Sequence, residues 1–356
     1  MFYNDKNNKT LIVRHFSVIE RKIKKMIFNY EKFKADRYRI CSSQHELSKL
    51  SGISENTIKN IESGRKRIKY NDYDFINLCK VLKFNPNNYF ARECKVIFIG
   101  GLKGGLGKSI TTATIASILA TKHNKNVIVI DGDCQTNVSQ SLGVLYDKDF
   151  EVKNIYNAFT RQESILNHLI DTDIPNLKIV PGSLEYSKIE AILPQLSYRE
   201  VRFKAILNET INSGQYDFIL IDSSPSLSLT NNIMLRASDY ALLPFNPDVF
   251  SLSGIENTLN FIYEINEENK LAGIKHQIKI LGLFCNKYDK RIKMSSAITK
   301  VVKEVYSEHM LKSIIPVDSA ISKTISENKP LSENYSKTKA YEAFCELTEE
   351  ILHVIK

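Results

Sequence analysis

The chain has 356 residues, 43% hydrophobic and 25% charged, with a formal net charge of +9. That length suits about two domains, each able to bury a core. No apolar run approaches the roughly 18 residues of a membrane-spanning helix, and the polar start MFYNDKNNKT does not read as a signal peptide. The six cysteines are scattered, with no CxxC and no Cys/His cluster at metal spacing, so reduced cytoplasmic thiols are expected and a disulfide framework or zinc site is not. The charge is uneven: residues 1–93 hold 20 Lys+Arg against 10 Asp+Glu, and the remainder 29 against 30. A basic first quarter on a near-neutral body is either a polyanion-binding module or a solvated basic surface.

Taken in chain order, Ile19, Ile23, Met26, Ile27, Tyr30 and Phe33 recur at helical spacing and predict an amphipathic helix, serving as core or as a dimer contact. Next comes SSQHELSKLSGISENTIKNIESGRKRIK. Ser43 followed by Glu46 is a capping box that starts a short helix through Leu50. Gly52 supplies a tight turn, Ser54 caps a second helix over about Glu55 to Glu62, and Ser63–Gly64 stop it. Leu47, Leu50, Ile53, Ile58 and Ile61 are expected inside, leaving Glu55, Asn56, Thr57, Lys59 and Asn60 outside. Two short helices around a glycine turn form the helix-turn-helix pattern, whose second helix enters the DNA major groove; an αα-hairpin that merely packs is the alternative. Asn and Lys can reach base edges, and Arg65, Lys66 and Arg67 suit phosphates. A further helix, about Asp72 to Leu82, closes the bundle. Gln44, Leu47, Gly52, Ile53, Ser54, Ile58, Ile61, Glu62 and Gly64 make the segment resemble a phage-repressor helix-turn-helix domain.

The polar stretch FNPNNYFAREC, 84–94, reads as a linker, giving a DNA-binding domain over 1–93 (motif 43–64) and a second domain over 94–356. KVIFIG is a short β-rich run, and SITTATIASILATKH a strong helical pattern; GGLKGGLGKS lies between them. Strand, glycine turn and helix in that order are the context of a phosphate-binding loop. Gly104, Gly105 and Gly107 let backbone N–H groups face phosphate oxygens, while Lys108 reaches the β- and γ-phosphates and Ser109 holds Mg²⁺. Leu106 and Ile110 complete the expected nucleotide-contacting run.

Two more buried strands follow, NVIVIDGDCQ ending in Asp131 and Asp133, and YDFILIDSSPSL ending in Asp222. An Asp at the C-terminal end of such a strand lies where an open α/β sheet binds its ligand and Mg²⁺. Further strands are expected at 176–180, 241–245, 278–285 and 313–317, with helices such as 251–265 and 337–355. The fold class is therefore α/β, a mostly parallel P-loop sheet with helices on both faces, plus a small all-α helix-turn-helix domain.

The glycine loop departs from G-x-x-x-x-G-K-[ST], since Leu102 stands at its first Gly, but meets K-G-G-x-G-K-[ST], the deviant Walker A pattern. With IDGDCQTNVSQSLG, LIDSSPSL, PFNPDVFSLSGI, KYDKRIKMS and IIPVDSAISKTISENKPL, the body from Lys95 onward resembles the ParA/MinD group of ATPases. The basic first domain resembles the extra DNA-binding domain of longer, plasmid-type members.

The resemblance implies an ATP-dependent homodimer in which Lys103 of one subunit reaches the nucleotide of the other. Lys108 and the loop amides hold phosphates, Ser109 and Asp222 hold Mg²⁺, Asp133 orients the attacking water and Asp131 supports the metal shell. Asn286 matches a position that recognises adenine in some relatives. Family dimers also bind nucleoid DNA without sequence preference; Arg291, Lys293, Lys300 and Lys303 are candidates, and a solvated helix face explains them equally well. Cys134 and Ser224 replace prolines of the family motifs. The implied function is partition of a plasmid or other mobile element with a ParB-type centromere-binding partner, in a cytoplasmic, nucleoid-associated protein. The alternative is a nucleotide-gated transcription or replication regulator. A membrane-cycling role is disfavoured, because Glu342, Glu346, Glu349 and Glu350 put acid on the polar side of the last helix.

Overall fold

The computed structural model describes residues 26–66, 68, 72–84, 90–92, 94–145, 148–226 and 228–355. They fall into two units: residues up to 93 together with 212–215, and the rest of the chain from 94 onward.

The first unit contains strand β1 (Met26–Phe28), helices α1 (Tyr30–Ile40), α2 (Gln44–Ser51), α3 (Glu55–Glu62) and α4 (Tyr73–Val81), and strand β2 (Phe90–Arg92). The helix starts are chemically marked: Asn29, Ser43, Ser54 and Asp72 each accept a backbone N–H of the first turn. Gly52, at φ +70, ends α2 in a left-handed conformation that a side chain would strain. Glu46 completes its cap by accepting from Ser42 N at 3.2 Å, one residue before the N-cap itself.

Phe28, Phe33, Leu47, Ile58, Ile61, Phe75 and Leu78 form the core, with the Phe28 and Phe75 rings edge-to-face at 4.7 Å. Arg37 is buried with them; its Nε and Nη2 donate to the Glu62 carboxylate at 2.8 and 2.9 Å, and Gln44 Nε2 adds a third donor at 2.7 Å. Helices α1, α2 and α3 are thus tied through one carboxylate.

Three expectations are corrected here. The helical pattern from residue 19 breaks up: Ile19 and Ile23 lie outside the described residues, Met26 and Ile27 belong to β1, and Tyr30 opens α1. Part of the linker is β2, paired antiparallel with β1 so that Met26 faces Arg92 and Phe28 faces Phe90. Pairing across more than sixty positions leaves no local period to read. Leu50 is exposed, because the short α2 gives the core Leu47 while Ile53, beyond the turn, fills the adjoining place.

The second unit is an eight-stranded sheet of order β10-β9-β8-β3-β7-β4-β6-β5. Its strands are β3 (Lys95–Ile99), β4 (Val127–Gly132), β5 (Ile170–Asp171), β6 (Leu177–Val180), β7 (Phe218–Ser223), β8 (Tyr240–Phe245), β9 (Lys279–Tyr288) and β10 (Met310–Pro316). All neighbours run parallel except β5 against β6. Alternate residues of each strand enter different cores. Phe98, Ile130, Ile221 and Leu243 pack with the helices α7 (Arg199–Asn212), α8 (Leu229–Arg236), α9 (Ser251–Leu271) and α10 (Lys293–Val305). Ile97, Val129, Leu220 and Leu242 pack with α5 (Lys108–Thr121), the short α6 (Asn137–Ser141) and the last helix, α12 (Lys339–Val354); α11 (Ser319–Glu327) adds Ala320. Strands buried on both faces read as continuous apolar runs, which is why the sequence shows them so plainly. Among the described residues no helix is long and apolar enough to cross a membrane.

Candidate functional site

Strand β3, central in the sheet, feeds the glycine loop, and the loop feeds α5. Gly107 is the N-cap of α5 at φ +78, with no side-chain cap, so the first N–H groups of the helix stay available to an anion. A Cβ at Gly107 would also lie 2.4 Å from Asn286 Nδ2, so both backbone angle and space demand glycine there. Beside the loop opens a cleft of about 660 Å³, lined by Gly105 to Ile110, Asp133, Cys134, Gln135, Ser224, Pro225 and Lys287 among others.

Parallel register brings the carboxylates together. Asp131 on β4 is the direct neighbour of Asp222 on β7, and Asp222 also neighbours Ile99, the last residue of β3. Asp131 is fully buried, yet its Oδ2 accepts from Ser139 N (3.0 Å) and Ser139 Oγ (2.6 Å), and its Oδ1 from Asp133 N (3.2 Å). Burial pushes its pKa up to about 6 despite these donors. Asp222 is also fully buried; its Oδ1 accepts from Thr112 Oγ1 at 3.2 Å, and its Oδ2 has no hydrogen-bond partner. Burial, then the Asp131 charge, push its pKa up to about 8, while Ser109 and Lys108 pull it part of the way back. Lys108 is buried and its ammonium donates to Lys103 O at 3.2 Å; desolvation lowers its pKa against the attraction of Asp222 and Asp133. The site therefore gathers three carboxylates about one ammonium and leaves an acidic oxygen bare.

Asp133, nearly buried, lines the cleft and accepts from Gln135 N at 3.0 Å. Lys103, in the loop, forms an ion pair with Asp248 at 2.5 Å in the same chain, with the Phe250 ring centroid 5.5 Å from its nitrogen. Asn286 is buried at the end of β9; its Nδ2 donates to Leu106 O at 2.7 Å and its Oδ1 accepts from Lys287 N at 2.9 Å. Its side chain is thus engaged with the loop and the next residue, and it is absent from the cleft lining. Sequence reasoning did not single out Asp248, Lys287, Asn246 or Ser139. Asp248 lay inside the quoted PFNPDVF run, whereas nothing local marks Ser139 as a carboxylate partner eight residues on.

The DNA candidates sit as follows. On α3, Glu55, Asn56 and Lys59 are exposed while Thr57 and Asn60 are half-buried, above the buried Ile58 and Ile61. Glu55 contacts His45 Nδ1 at 3.3 Å, and Thr57 Oγ1 bonds Ser54 Oγ at 2.8 Å. Arg65 is exposed; Lys66 is held by Asp72 (3.2 Å) and Asp74 (2.6 Å), and Arg67 lies outside the described residues. Arg291, Lys293, Lys300 and Lys303 are all exposed on or just before α10. Arg291 is paired with Asp289 at 2.6 Å, and Lys300 lies 3.9 Å from Glu304.

A parallel sheet that brings a glycine loop, a buried lysine and paired aspartates to the C-terminal ends of its strands defines the P-loop class of α/β proteins. A family model described as an AAA domain matches residues 94–280, and the chain belongs to this AAA_31 family of ParA/MinD-type P-loop ATPases. An uncharacterized protein of Methanocaldococcus jannaschii is 32% identical over 267 residues, 73% of this chain and 99% of its own. The chromosome partitioning protein ParA of Caulobacter vibrioides is 25% identical over 262 residues, 74% of this chain and 95% of its own. Among solved structures, apo McdA of Cyanothece superposes with a TM-score of 0.63 at 21% identity, over 73% of this chain and 99% of its own. Cobyrinic acid a,c-diamide synthase of Mycobacterium smegmatis, with bound ADP and magnesium, does so with a TM-score of 0.61 at 23% identity, over 73% and 94%.

Proposed function

We propose that this chain is an ATP-hydrolysing partition protein that moves or tethers DNA, its cargo a plasmid or other mobile element. The observation that carries the reading is the bare, buried Oδ2 of Asp222 next to Ser109 and Lys108. A carboxylate oxygen and a hydroxyl are the hard donors Mg²⁺ takes, so the residues present fit that ion. Bound there, Mg²⁺ supplies neutralising charge to the β- and γ-phosphate oxygens.

The chain's own groups do the rest. Lys108 and the N–H groups of Gly104 to Ile110 hold the phosphates, and Asp131, fixed by Ser139 on the strand beside Asp222, supports the metal shell. Asp133 orients the water that attacks the γ-phosphorus; the bond to the bridging oxygen breaks, giving ADP and phosphate. Lys103 acts on the nucleotide of a second copy, which requires it to leave Asp248. This is the deviant Walker A lysine in its cross-subunit role. The ATP-bound dimer grips nucleoid DNA without sequence preference, through Lys293, Lys300, Lys303 and Arg291, and a ParB-type partner triggers hydrolysis and release. The first unit is a DNA-reading domain in which α3 presents Asn56 and Lys59 to base edges and Arg65 to phosphate. The partition name of the Caulobacter relative and the ADP and magnesium held by the Mycobacterium structure support the reading.

The test is binding to random-sequence DNA with no nucleotide, ADP or ATP, for wild type and Asp133→Ala. Partition predicts binding that appears only with ATP and persists in the variant, whose ATP is not hydrolysed. Binding indifferent to nucleotide would contradict it. The second reading, a nucleotide-gated regulator, rests on the exposed, well-capped α3 in a strongly basic unit. It predicts that Lys108→Ala leaves plasmid retention intact; loss of retention with repression preserved would exclude it.

A further inference from the structure

A loop that binds phosphate must turn its N–H groups inward, and its carbonyl oxygens must therefore point away and find donors elsewhere. Here those donors come from the C-terminal ends of two adjacent strands. Asn246, just after β8, donates Nδ2 to Gly105 O at 3.2 Å, and Lys287, near the end of β9, donates Nζ to the same oxygen at 2.7 Å. Asn286 donates Nδ2 to Leu106 O at 2.7 Å. We infer that Asn246, Asn286 and Lys287 are positioning residues that brace the phosphate loop, fixing its Gly105 and Leu106 carbonyls outward so that its N–H groups face the nucleotide phosphates. The inference rests on the ATP-binding reading and extends it to residues outside the loop.

Four further observations agree. Asn286 is buried with both ends of its amide engaged, so its orientation is set. Lys287 adopts φ +53, a costly backbone conformation for a side-chain-bearing residue, and its N–H closes on Asn286 Oδ1. Its side chain lines the cleft, so besides fastening Gly105 it brings positive charge to the side where phosphates enter. Gly107 has no room for a Cβ because the Asn286 amide occupies that space. The loop and the brace are therefore fitted to each other.

A brace of this kind acts on the phosphates and is blind to the base, which separates it from adenine recognition by Asn286. The experiment measures, on the full chain with Mg²⁺, the affinity of a fluorescent ATP analogue and its displacement by inorganic pyrophosphate, for wild type, Asn286→Ala, Lys287→Met and Lys287→Arg. Melting curves without nucleotide accompany them. Removing a charged or buried donor should weaken both ligands by the same factor, roughly tenfold or more, with Lys287→Arg recovering part of it. The exposed Lys287→Met variant should melt like wild type, so its loss reports the loop and not the fold. Weaker ATP with unchanged pyrophosphate would mean the residues read the base, and would overturn the brace. Both ligands unchanged in the variants would overturn it while leaving the ATP-binding reading standing. A wild type that binds neither ligand would remove both.

Discussion

Each unit buries charge, but to opposite ends. In the first, Arg37 and Glu62 are hidden completely and every contact is made: two parallel bonds between them, a third from Gln44, and Arg37 Nη1 on Cys41 O at 3.1 Å. In the second, Asp222 is hidden as completely, and one of its oxygens bonds nothing. Burying an ion is costly unless pairing and hydrogen bonds repay it. A fully paired buried ion therefore fastens structure, whereas a short-changed one marks a place kept for a ligand. Burial and the neighbouring Asp131 charge push the Asp222 pKa up to about 8.

The contrast can be broken most sharply at the cleft. Asp222→Asn or Lys108→Ala should lower ATP hydrolysis by about 100-fold or more, as loss of a group aimed at transferring phosphate does. Melting without nucleotide should stay at or above the wild-type temperature in Asp222→Asn, because that variant removes a buried carboxyl group whose Oδ2 bonds nothing. A large drop in melting temperature would make Asp222 a structural residue like Glu62. In the first unit the order reverses. Glu62→Ala leaves Arg37 buried and unpaired and should cost that unit about 3–5 kcal/mol in denaturant unfolding. The double replacement Arg37→Met with Glu62→Leu should recover most of it; failure to recover would show that the pair does more than satisfy itself.

Gly107→Ala should weaken ATP by roughly tenfold, in proportion to the 1–3 kcal/mol that a side chain forced into a left-handed angle costs, by equilibrium titration. The smallest effect is expected at the half-exposed Lys103–Asp248 pair. Asp248→Asn should change stability by less than about 1 kcal/mol, since solvent screens such contacts. Its consequence belongs to Lys103, freed from its own chain, and sedimentation should show ATP-dependent pairing at lower protein concentration.

What the sequence disclosed follows from how local each signal is. The strands ending in Asp131 and Asp222 and the loop before α5 stand out because both faces of the sheet are covered, so the runs are apolar throughout. The caps Ser43 and Ser54 are local chemistry and lie where the sequence puts them, while Asp72, expected as the first residue of the next helix, is its N-cap. Strands β1 and β2 were invisible because three residues carry no period and each needs a partner far along the chain. The same holds within the site. Loop glycines announce themselves, but Lys287 and Asn246 reach Gly105 from more than a hundred residues away, and only the order of β3, β8 and β9 brings them there.

The incomplete charge cluster of the second unit is fitted to a nucleotide with its metal. The most direct measurement is calorimetric melting of the full chain with ATP and Mg²⁺, with ATP and EDTA, and with neither, for wild type and Asp222→Asn. A ligand that binds only the folded state raises its melting temperature by mass action. Wild type should show a rise that is largest with Mg²⁺ and is lost or much reduced in Asp222→Asn. No rise in wild type, or an equal and metal-independent rise in both proteins, would contradict it.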